Sequence, residues 1–132
     1  MTELLLNVHP WLGYLVSLVV VIAALAAFKR AKDGVEFRPG LYRAAYLLLS
    51  FQVLLGIVLY GLGSYWDAAP LVAYVHPVAA ILGLGVGQAL LGRARRTQMA
   101  ADAHRLAGRG LILTLLLVVI AIGVASVAGV TA

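Results

Sequence analysis

Long apolar runs broken by short polar ones make up nearly all of this 132-residue chain. Apolar runs, free of charge except for Arg43 at the start of the second, lie at about 10–28, 41–63, 71–91 and 110–130, and the last reads as a helix from about 108 to 130. A helix needs roughly 20 apolar residues to cross the hydrocarbon core of a bilayer, and each run reaches that length. The pattern therefore predicts an all-α, integral membrane four-helix bundle, with residues 1–132 forming a single domain. Composition agrees. The chain is 64% hydrophobic and 11% charged, more apolar surface than a soluble domain of this size can bury. No basic region precedes the first run, so it is expected to stay as a span rather than leave as a signal peptide.

Charge adds orientation. All ten basic residues fall in two places. Lys29, Arg30, Lys32, Arg38 and Arg43 surround the first connection; Arg93, Arg95, Arg96, Arg105 and Arg109 surround the third. Short loops rich in Lys and Arg stay in the cytoplasm. The expectation is a multi-pass protein of a prokaryotic cell (inner) membrane, with both termini on the outer side. At helix ends, such clusters read as topology beside anionic lipid and not as a nucleic-acid surface. Trp11, Tyr14, Tyr60, Tyr65, Trp66 and Tyr74 form an aromatic belt at the opposite interface, most of them as anchors.

The second half of the chain echoes the first. Val8-His9-Pro10 and Val75-His76-Pro77 each precede an apolar span and then a basic cluster. This suggests two copies of one helical hairpin about an axis along the membrane normal, which would set His9 opposite His76. A proline in the first turn of a helix costs little, so each His-Pro also reads simply as a helix start. Below His9, Gly13 and Ser17 are small; below His76, so are Ala80, Gly83 and Gly87. Such stripes suit close helix packing and equally a flat macrocycle lying between helices. Two outer-side histidines with small residues beneath them point to haem b, with His9 and His76 as axial metal ligands. Gly13, Ser17, Gln52, Gly56, Ala80 and Gly83 are the expected cofactor-binding residues. Each imidazole then needs its other nitrogen hydrogen-bonded, and Asn7, Tyr14, Ser17, Tyr74 and backbone carbonyls are the available partners.

Other chemistry is sparse. Gln52 lies mid-span on one face with Gly56, Tyr60 and Gly63, where it serves as interhelical glue or touches a cofactor edge or a quinone. His104, beside Asp102, Arg105 and Arg109, marks an interfacial start to the fourth helix. There is no cysteine, and hence no disulfide, thiolate ligand or iron–sulfur cluster. Two histidines alone make a poor zinc or copper site, although a homo-oligomer could add ligands. No nucleophile–base set, carboxylate pair or phosphate-binding loop is present.

His9 with Leu12-Gly13-Tyr14-Leu15, Gln52 with Leu55-Gly56, and His76 with Ala79-Ala80 together resemble a single four-helix unit of the haem A synthase family. The resemblance implies one haem between His9 and His76 near the outer face. The family's Glu-x-x-His-Arg reads Leu6-Asn7-Val8-His9-Pro10 here, so the acid and the arginine of the catalytic unit are missing, as are the outer cysteines. The leading expectation is thus a non-catalytic membrane b-type cytochrome. It would transfer electrons near the outer face, with a quinol or another respiratory membrane protein as partner. A cofactor-free accessory subunit of a larger respiratory complex and a short haem-modifying enzyme are the alternatives.

Overall fold

The computed structural model describes residues 1–129. It is all-helical: α1 spans Thr2–Asp33, α2 Gly40–Leu62, α3 His76–Ala94 and α4 Ala100–Val127. A π-helical turn, Leu71–Val75, leads directly into α3. All four helices, α3 taken with that turn, are long and apolar enough to cross a membrane. Val130, the expected end of the fourth span, lies outside the described residues.

Two helices start well before their apolar runs. α1 begins at Thr2, so Pro10 is an interior residue and His9 does not open the helix. α4 begins at Ala100, not near 108, with Asp102 in its first turn, where the helix dipole favours an acid. The reason is general. A charge-free run marks the hydrocarbon layer, whereas a helix continues through the interface because its backbone groups still need partners.

Short turns return the chain. α1 ends on Gly34, whose φ of 65° is left-handed, and the Val35 N–H donates to the Arg30 carbonyl at 3.1 Å. This six-to-one bond closes the helix in a Schellman motif. Helix α4 packs closely on both α3 and α1, and α1 packs on α2; among these neighbouring pairs α2 and α3 touch least. Alanines dominate the contacts, with Ala23, Ala27, Ala45, Ala94 and Ala103 all fully buried. Small residues let backbones approach, which is how helices associate in lipid. Many large apolar side chains point outward instead, Leu47 at 71% and Leu25 at 67% exposure.

Two polar ties fasten the bundle toward its basic end. Thr114 of α4 donates to the Gly83 carbonyl of α3 at 2.8 Å, and the Tyr46 hydroxyl of α2 donates to Thr114 Oγ1 at 3.4 Å. Gly87 must lack a side chain, because a Cβ there would collide with Thr114 Oγ1 and the Tyr46 ring. Nearer the loops, His104 is completely buried within the bundle. Its Nε2–H donates to the carbonyls of Val35 and Glu36 at 3.2 and 3.3 Å, so its Nδ1 accepts from the Tyr42 hydroxyl at 2.6 Å. The ring is enclosed because it staples the first loop to α4, a contact that its charged neighbours along the chain conceal.

Candidate functional site

The packed core runs from the basic end to about Val16 and Leu49. Beyond it, toward the opposite end, the helices part around a cavity of about 400 Å³ that draws its walls from all four. This lies within the range of roughly 300–1,000 Å³ usual for cofactor and small-molecule sites. Its lining is apolar apart from His9, His76, Gln52 and the tyrosines Tyr14, Tyr60 and Tyr65; no Lys, Arg, Asp or Glu lines it.

His9 and His76 face each other across this cavity, their ring centroids 6.1 Å apart and their planes inclined by 68°. His76 is positioned by the π-helical turn before it, a distortion that recurs at functional sites. Pro77 has no N–H for the Ala73 carbonyl four residues back, and the Tyr60 hydroxyl donates to that carbonyl at 3.0 Å. Tyr60 thus secures the irregular segment that delivers His76. Across the bundle, His76 Nδ1 lies 2.8 Å from the Ala121 carbonyl of α4. A carbonyl only accepts, so the proton sits on Nδ1 and the Nε2 lone pair is free.

His9 is held differently. Gln52 Nε2 donates to its main-chain carbonyl at 2.8 Å. Its ring rests on Gly56, with Cε1 only 3.1 Å from where a Cβ would stand. Gly13 makes room for the Gln52 amide in the same way, its virtual Cβ 3.2 Å from Nε2. Among the described residues, two buried side-chain polar atoms have no hydrogen-bond partner: His9 Nδ1 and Gln52 Oε1. Both residues line this cavity.

Six of the eight residues singled out from the sequence meet here: His9, His76, Gly13, Gln52, Gly56 and Ala80. Ser17 does not line the cavity; its hydroxyl bonds the Gly13 carbonyl at 2.8 Å. Eight residues make about 2.2 turns, so Ser17 sits roughly 80° around α1 from His9. Gly83 also lies outside the cavity and packs on Thr114 and Leu117 of α4. Sequence reasoning missed the contribution of α4, which closes the cavity with Val118, Ala121, Ile122 and Ala125. The small pair Ala121 and Ala125, one turn apart, is the only signal that pointed there.

The 6.1 Å centroid separation is close to that of two imidazoles bound to one metal ion. Two metal–nitrogen bonds of about 2.0–2.1 Å plus two ring radii place collinear imidazole centroids about 6.3 Å apart. Among the described residues, no three His, Cys, Asp or Glu side chains gather to hold a bare ion. A ligand that brings its own equatorial donors needs only two axial ones. Comparisons of the chain with protein-family models, with curated proteins and with solved structures find no match in any of the three.

Proposed function

We propose that this protein is a membrane b-type cytochrome that holds one haem between His9 and His76 and transfers electrons near the membrane surface at the histidine end. The observation that carries this reading is the facing pair itself: two rings 6.1 Å apart in a largely apolar cavity. His76 already has the hydrogen bond that readies Nε2 for a metal. Bound haem would supply a one-electron couple; His9 and His76 would hold it through their imidazole nitrogens, in a cavity with little polar surface. Tyr14 and Tyr65 bring hydroxyl donors for the propionates, in the absence of any Lys or Arg. Among the described residues no carboxylate lines the cavity, which supports a carrier over a haem-modifying enzyme and sets this chain apart from the catalytic unit of the haem A synthase family that it resembles.

The same reading includes orientation. The ten basic residues all sit at or near the end of the bundle opposite the histidines, which supports an orientation with that end in the cytoplasm of a prokaryotic cell and the haem near the outer face. The two His-Pro hairpins then serve as a pseudo-symmetric pair, each giving one axial ligand. A quinol or another respiratory membrane protein is the fitting electron partner.

The test is a reduced-minus-oxidised absorption spectrum of protein purified from haem-supplied cells, alongside His9→Ala and His76→Ala. A sharp bis-histidine α-band, lost in both variants, is expected. A folded, helical wild type without haem would refute the reading and leave the cofactor-free accessory subunit, pursued by co-purification. With no native cysteine, single cysteines at Ala68 and Thr97 test orientation: only Ala68→Cys should react with an impermeant thiol reagent in intact cells.

A further inference from the structure

The two unpartnered buried atoms of the cavity are chemically complementary. His9 Nδ1 is a potential N–H donor, and Gln52 Oε1 can only accept. They belong to residues already in contact, since Gln52 Nε2 donates to the His9 carbonyl at 2.8 Å. That bond fixes which end of the amide is nitrogen and leaves Oε1 beside the residue whose ring lacks a partner. The amide has little freedom to go elsewhere, because its nitrogen is wedged over Gly13.

We infer that Gln52 is the positioning residue for His9: in the loaded protein the His9 ring turns to donate its Nδ1–H to Gln52 Oε1, which presents Nε2 to the metal. This rests on the haem reading above. It gives His9 the arrangement that His76 already has with the Ala121 carbonyl, and it satisfies both orphaned atoms in one step. Gln52 thereby acts twice, through its nitrogen on the backbone of His9 and through its oxygen on the ring. A hydrogen bond of this kind makes the ligating nitrogen more electron-rich and favours the oxidised metal.

Potentiometric titration of the haem-loaded protein, with Gln52→Met and Gln52→Glu, separates the two roles. Methionine removes both the donor and the acceptor. Glutamate keeps an acceptor for the ring but, when ionised, gives up the donor to the backbone. Gln52→Met should favour the reduced form about tenfold, a rise in midpoint of about 59 mV for a one-electron couple. Gln52→Glu should sit at or below the wild-type midpoint. If Gln52→Met does not fold, the glutamate variant decides alone, and a midpoint above wild type overturns the inference. An unchanged Gln52→Met midpoint, or a rise in both variants together, overturns it while leaving the haem reading intact. A wild type without a bis-histidine spectrum overturns both.

Discussion

A single methyl group at Gly56 tests whether the cavity is built around the His9 ring. The added Cβ of Gly56→Ala would stand 3.1 Å from His9 Cε1. Carbon atoms in ordinary contact are about 3.5–4.0 Å apart, so the ring would have to retreat by about 0.4–0.9 Å. Metal–ligand distances tolerate about 0.2 Å, and His9 faces a partner that is itself tethered to Ala121. The displacement exceeds that tolerance, and haem affinity should fall at least about tenfold, or about 1.4 kcal/mol. In the apoprotein the helix preference for alanine over glycine, roughly 0.5–1 kcal/mol, works against the cost of displacing the ring, so the change in stability should be small. Gly61→Ala is the control, on the same helix with nothing within 4 Å of its Cβ position. The assay is haemin titration of the purified apoprotein in detergent, read at the Soret band, with thermal unfolding of each apoprotein in parallel. Wild-type haem affinity in Gly56→Ala, or an equal loss in Gly61→Ala, would refute the reasoning.

Three further outcomes follow from the polar ties. Thr114→Val removes the bond to the Gly83 carbonyl and strands the Tyr46 hydroxyl; thermal unfolding should show a loss of about 0.6–2 kcal/mol, with the haem spectrum unchanged because Thr114 does not line the cavity. Tyr42→Phe leaves the fully buried His104 Nδ1 without a partner and should cost about 1–3 kcal/mol, read by the same unfolding experiment. Tyr60→Phe frees the Ala73 carbonyl that Pro77 cannot serve; about 1 kcal/mol of stability should be lost, together with haem affinity in the Soret titration, because the segment it secures delivers His76.

Hydropathy and charge are properties of neighbouring residues, so the chain alone was enough for the four spans, the all-helical class and the segregation of basic residues toward one end. It was also enough to single out His9 and His76, since two Val-His-Pro repeats before apolar spans are visible without any fold. The ends of α1 and α4 were misjudged because helices outrun the hydrocarbon layer that hydropathy detects. What only the tertiary structure decided depends on how far each helix is rotated about its own axis and how closely two axes approach. Small residues permit close approach but do not specify the rotation. That freedom is why Ser17 and Gly83 turn away from the cavity while Gln52 and Gly56 turn into it. The Ala121 carbonyl that orients His76 leaves no mark in the sequence, since every residue has one. His104 reads as interfacial among Asp102, Arg105 and Arg109, and its burial arises from a loop almost seventy positions earlier in the chain.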